Sequence, residues 1–231
     1  MIVRFKAIIF VCCAVLAAQA FAAQKKNYGD LDSSMRFEYA GTGGNCNGCE
    51  WVSAIGTIDE STPQKFEQFF KTHPYTETVY LHSPGGNLVA GMKLGRLFRE
   101  YKMPVAIGKT EQVKGQPYSE TKPGICASAC AYAFLGGVSR SISEGSKIGF
   151  HQFYQTKVLE ANMKPIEVQG YTLSTDQLIS GIIAAYIVEM GVDARVLSIA
   201  SLAGRDEMPS PTNAELRTPK VTTNQTLNPM H

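Results

Sequence analysis

Between residues 51 and 108 two kinds of apolar pattern alternate, and this alternation constrains the fold more than any other feature of the chain. "WVSAIGTI" (51–58), "TVYLHS" (78–83) and "PVAIG" (104–108) are short runs rich in β-branched and aromatic residues, which read as strands. The segments between them have a different period. "TPQKFEQFFKTH" (62–73) places Phe66, Phe69 and Phe70 at i, i+3, i+4, with Ser61 and Thr62 as candidate caps. "GGNLVAGMKLGRLFREYK" (85–102) opens on glycines and then offers Leu88, Met92, Leu94, Leu97 and Phe98 as a buried stripe. Strand, helix, strand, helix, strand predicts an α/β fold of βαβ units, with a mostly parallel sheet flanked by helices.

The remaining segments are less regular. Residues 24–50 are polar and glycine-rich and read as an irregular lead-in with one short strand near Met35–Tyr39. "KTEQVKGQPYSETKP" (109–123) holds two prolines and a glycine and reads as an exposed loop. "CASACAYAFLGG" (126–137) is helical by its alanines and stops at Gly136-Gly137. "KIGFHQF" (147–153) reads as a strand, and 174–191 as the longest helix, with Ser174 as cap and Gly191 as stop. A shorter helix is expected over 193–204. Residues 217–231 form a polar tail expected to fray.

Residues 1–23 have the layout of a secretory signal peptide. Arg4 and Lys6 precede an apolar run from Ala7 to Ala18, and small residues in A-x-A spacing put the cleavage near Ala20 to Ala23. The run is short of the ~20 residues a membrane span needs. Removing this segment leaves 20 basic residues against 20 acidic ones, so the remainder has no charge excess to favour a nucleic-acid partner. The remainder, about 200 residues long, suits one domain with its own core, placed at 51–216. It keeps Cys46, Cys49, Cys126 and Cys130. In an oxidising compartment disulfides are the default, and local bridges Cys46–Cys49 and Cys126–Cys130 are preferred among the three pairings. A zinc site using all four thiolates stays as the alternative. A redox role for "CNGC" is disfavoured, since a strand-like run follows where such a motif needs a helix start.

Three segments carry chemistry. "LHSPGGNLVAGM" is a strand running through Pro84-Gly85-Gly86 into a helix, a turn that exposes backbone N–H groups and admits close approach. An ordinary tight turn explains it equally well. "GICASACAYAFLGG" (124–137) sets Ser128 among small residues at a helix start, where orphan N–H groups favour developing negative charge. A helix N-cap is its plain alternative. "GFHQF" brings His151 to the end of a strand, where an imidazole can act as general base. Asp206 in "GRDEMPSP" follows the last core helix and by itself says little.

Taken in order, these segments resemble the Clp protease proteolytic-subunit family, within the wider Clp/crotonase fold. "VYLHSPGGNLVAGM" looks like its S-P-G-G turn, "GICASACAYAFLGG" resembles its G-x-A-A-S-M-G-A serine segment, and "IGFHQF" resembles its I-H-Q-P segment. "RDEMPS" resembles the shorter, degenerate D-R-F-x-S segment. The likeness runs over about residues 51 to 216 and implies repeated β-β-α units. It implies Ser128 as nucleophile, His151 as base, Asp206 as the group orienting the imidazole, and the N–H groups of Gly85 and Ala129 as the oxyanion hole. That chemistry needs no metal or cofactor. Three features depart from the pattern: Cys126 and Cys130 flank the serine, the polar loop 109–123 is longer than the family's connection, and His82, otherwise read as a strand-end side chain facing solvent, stands where the family turn has asparagine.

The expectation is an exported serine peptidase, periplasmic or secreted. It would be a homo-oligomer acting on peptides or unfolded protein segments, with no ATP-driven unfoldase within reach. A non-catalytic binding or assembly module of the same fold is the alternative. A crotonase-like acyl-thioester enzyme is a more distant one, disfavoured by the Ser/His pair and by the export signal.

Overall fold

The structure, a computed structural model, describes residues 29–44, 46, 48–75, 77–151, 165–202, 211 and 213–223. The expected signal peptide, Asp206 and the end of the tail lie outside the described residues.

The βα rhythm of the sequence builds the central layer. Strands β1 (Arg36–Gly41), β2 (Glu50–Ile55), β3 (Val79–His82), β4 (Val105–Ile107) and β8 (Arg140–Ile142) form a sheet in the order β1-β2-β3-β4-β8. The β1–β2 pair is antiparallel and the others are parallel. Helices α1 (Thr62–Thr72) and α2 (Leu88–Glu100) are the crossovers between its strands. Successive strand residues point to opposite faces, and the burial follows suit. Val52, Ala54, Val79, Leu81, Val105 and Ile107 join the main core with Phe66, Leu94 and Phe98. Trp51, Tyr80 and Ala106 form a second, smaller cluster.

A hairpin of β5 (Lys109–Gln112) and β6 (Ser119–Lys122) reaches that second cluster, where Trp51 Nε1 donates to Thr110 Oγ1 at 2.9 Å. The expected exposed loop over 109–123 is therefore two paired strands around a short turn. Another difference precedes the serine. Cys126 and Ala127 are not helical but belong to strand β7 (Ile125–Ala127), which pairs in parallel with β9 (Lys147–Gly149). Helix α3 (Ala129–Leu135) starts only after Ser128. Residue 151 follows β9 outside the strand, so the predicted run to 153 is shorter than expected.

Small residues decide how α3 packs. A side chain at Gly91 or Gly95 of α2 would collide with Ala129 O or with Ala133 O and Tyr186 Oη, so these glycines let the two helices approach closely. Tyr186 lies on α4 (Pro165–Glu189), which begins nine residues before the predicted Ser174 cap, and its hydroxyl donates to Tyr132 O at 2.7 Å. Helices α5 (Val196–Leu202) and α6 (Asn213–Arg217) follow. The first residues of the expected tail are held rather than frayed. Arg140, buried in β8, donates to Val221 O, Lys220 O, Leu135 O and Gly137 O, and Val221 is fully buried. Burial, and then the neighbouring Arg99, lowers the Arg140 pKa to about 10.

Candidate active site

The Pro84-Gly85-Gly86 turn and the serine segment meet. After β3, Ser83 N donates to Ile125 O at 2.8 Å and Ala127 N donates to Ser83 O at 3.1 Å, so β7 continues the sheet at the end of β3. The next residue, Ser128, has its N–H on Gly149 O at 2.9 Å. This brings the end of β9, two residues before His151, against the serine backbone. Gly85 takes φ 99°, and a Cβ there would stand 2.5 Å from Ala127 O and 2.7 Å from Ser128 Cβ. Only glycine fits, because the backbone of the first turn presses directly on the second.

Ser128 itself is unusual. It adopts φ 55° and ψ −124°, a conformation that L-residues rarely take and that commonly marks functional turns. Its position at the helix N-cap would suit a capping hydroxyl, yet no side-chain cap bond forms. The residue is half-buried. The strained turn does not fold Oγ back onto the helix as a cap, which removes the N-cap alternative. Asn87, by contrast, caps α2 in the ordinary way, accepting from Ala90 N at 2.9 Å.

Cys126 and Cys130 are bridged, with Cα atoms 5.2 Å apart and both side chains fully buried, so a covalent link spans the Ser128 turn. Cys46 and Cys49 are also bridged. The four thiols are thus paired in the local way preferred from the sequence, and the four-thiolate zinc alternative falls. No group of three or more potential metal ligands is found among the described residues.

The two expected oxyanion donors, the Gly85 and Ala129 amides, differ in their surroundings. The Gly85 N–H, expected to face the reacting oxygen, donates to the buried Ser83 Oγ at 3.1 Å. The turn folds that amide inward because Ser83, fully buried, has its hydroxyl beneath it. The amide of the next residue, Gly86, has no acceptor among the described residues. The Ala129 N–H opens α3 and has no intrahelical partner. Ser83 carried no signal in the sequence beyond its place in the turn.

His82 differs from the plain expectation of a strand-end side chain facing water. It is half-buried, and its Nδ1 accepts from Ile125 N at 3.0 Å. Burial first, and then the neighbouring Lys109 charge, lowers its pKa to about 4. Its ring lines a polar cleft of about 330 Å³ together with Arg36, Ile55, Lys109 and Glu111. Tyr132, one helical turn after Ser128, packs edge-on against Phe150 with a buried hydroxyl that has no partner among the described residues. Burial pushes its pKa up to about 12.

No protein-family profile and no curated protein matches the chain. Solved structures similar to it in fold include two proteases. One is a serine-to-alanine mutant of the 1510-N membrane-bound stomatin-specific protease, at 18% identity and a TM-score of 0.44 over 74% of this chain and 75% of that one. The other is an asparagine-to-aspartate mutant of ClpP1 from Listeria monocytogenes, at 16% identity and a TM-score of 0.45 over 74% of this chain and 87% of that one.

Proposed function

We propose that the chain is an exported serine peptidase that hydrolyses peptides or unfolded protein segments. The observation that carries this reading is the Ser128 turn: positive φ, no capping bond, and a Cβ set against the Gly85 backbone. Ser128 Oγ attacks the scissile carbonyl, His151 takes its proton and returns it to the leaving amine, and water then releases the acyl group by the reverse relay. Asp206 holds the imidazole tautomer. The Gly86 and Ala129 N–H groups, in place of the Gly85 amide, receive the oxyanion, and losing one such donor costs ~10²–10³ in rate.

Two disulfides support an oxidising compartment, and hence export. Leu178, Ile182 and Val188, exposed on α4, give an apolar face that supports a homo-oligomer. The uncapped Ser128 turn also supports a second reading, a non-catalytic module in which the turn is inherited architecture. Hydrolysis of fluorescently labelled, unfolded casein separates the two. The peptidase reading expects turnover by the oxidised protein, lost in both Ser128→Ala and His151→Ala. Absence of turnover, or turnover that survives Ser128→Ala, overturns it.

A further inference from the structure

We propose that His82 is a positioning residue for Ser128, acting through its Nδ1 on the strand that leads into the nucleophile turn; the inference rests on the peptidase reading above. Its basis is the hydrogen-bond accounting at the end of β3. In the ladder that joins β3 to β7, Ile125 O receives Ser83 N–H and Ser83 O receives Ala127 N–H. The Ile125 N–H faces the same way, but the main-chain acceptor that would continue the ladder, Leu81 O, is occupied by Gly108 N–H at 3.2 Å. A backbone donor left without an acceptor destabilises the segment that carries it. The imidazole of His82 fills the gap at 3.0 Å. Ile125 is three residues before Ser128, within the short strand that the Cys126–Cys130 bridge and the Gly149 carbonyl also hold.

An Nδ1 that accepts carries no proton, so the neutral ring holds its hydrogen on Nε2. The charged groups lining the same cleft are Asp30, Arg36, Lys109 and Glu111, of which Lys109 and Glu111 form an ion pair at 2.5 Å. The opposite charges of that pair offset each other beside the ring. The ring stays neutral and its acceptor available.

The two nitrogens separate by substitution. The amide oxygen of asparagine stands near the place of Nδ1, so His82→Asn keeps the acceptor and deletes the Nε2 side, whereas His82→Leu deletes both. Two readouts are taken on the oxidised full chain: hydrogen exchange at the Ile125 amide at neutral pH, and the second-order rate of Ser128 labelling by a fluorophosphonate. The expected result is a protected Ile125 amide in the wild type and in His82→Asn. In His82→Leu that amide exchanges at least about 10-fold faster, and labelling slows by about 10- to 100-fold. His82→Asn recovers most of that labelling loss. Wild-type exchange or labelling in His82→Leu overturns the proposal, and so does a His82→Asn as impaired as His82→Leu. A wild type that takes no label overturns the peptidase reading, while exchange at Ile125 still decides whether the imidazole holds the strand. Should His82→Leu fail to fold, the wild-type imidazole ¹⁵N spectrum decides. An unprotonated Nδ1 coupled across the bond to Ile125 supports the proposal, and a protonated Nδ1 refutes it.

Discussion

Replacing Ser128 separately by alanine and by glycine isolates the backbone strain at the centre of the site. At φ 55° and ψ −124° a residue with a Cβ is held in a sparsely populated conformation, which costs about 1–3 kcal/mol. Alanine keeps that Cβ and glycine sheds it. Glycine gains freedom in the unfolded chain, worth about 0.5–1 kcal/mol against it. The glycine variant is therefore expected to be more stable than the alanine variant by about 1 kcal/mol, and by at most about 2.5 kcal/mol. At roughly 2–4 °C per kcal/mol for a domain of this size, the central value is about 2–4 °C in Tm. The alanine variant should lie close to the wild type, because the serine hydroxyl makes no cap bond to lose. An ordinary N-cap serine would instead cost about 0.5–2 kcal/mol on the same change. Urea and thermal unfolding of the three oxidised proteins measure all of this. A glycine variant no more stable than alanine, or an alanine variant that loses a full capping contribution, refutes the strained-turn reasoning.

Gly85→Ala places a Cβ 2.5 Å from Ala127 O at φ 99°, and should cost at least about 2 kcal/mol in urea unfolding and slow fluorophosphonate labelling more than tenfold. Wild-type stability in that variant would contradict the contact. Removing the Cys126–Cys130 bridge with a double alanine variant should cost about 2 kcal/mol, the loop-closure value for so short a ring, together with a slower labelling reaction. Equal stability and labelling would show that the bridge does not brace the turn. Stability should also depend on the titration of His82. Its folded pKa of about 4 lies below the ordinary 6.5, so between these values the unfolded chain binds a proton that the folded chain does not. Stability is then fully present above about pH 6.5, falls as pH drops towards 4, and is lost by about 1–2 kcal/mol once solvent screening is allowed for. His82→Asn should flatten that part of the urea-denaturation pH profile, and an unchanged profile would place the titration elsewhere.

The sheet core was legible because its strands and helices differ in period over many residues. Phe66, Phe69 and Phe70 could only make a helical face, and Val79 and Leu81 could only share one side of a strand. Shorter elements escaped. β7, β8 and β9 have three residues each, too few to show a period, and β8 carries a buried Arg140 whose partners come from distant carbonyls. The β5–β6 hairpin is polar on both faces, so its alternation left no hydrophobic trace, and a bond from Trp51 to Thr110 ties it to the sheet. At the site, the serine segment and the glycine turn were readable as a pair. Which glycine amide is open was not, because it depends on Ser83 Oγ lying beneath Gly85. His82 looked like a solvent-facing strand end for a similar reason. Its role follows from Leu81 O being occupied by Gly108, a tertiary fact that no local pattern encodes.

Mass-spectrometric mapping of the residue modified when the oxidised protein is treated with a fluorophosphonate tests the central claim most directly. The account predicts one adduct, on Ser128, absent in Ser128→Ala and strongly slowed in His151→Ala. A protein that takes no adduct, or one modified at another hydroxyl while Ser128 stays untouched, would contradict it.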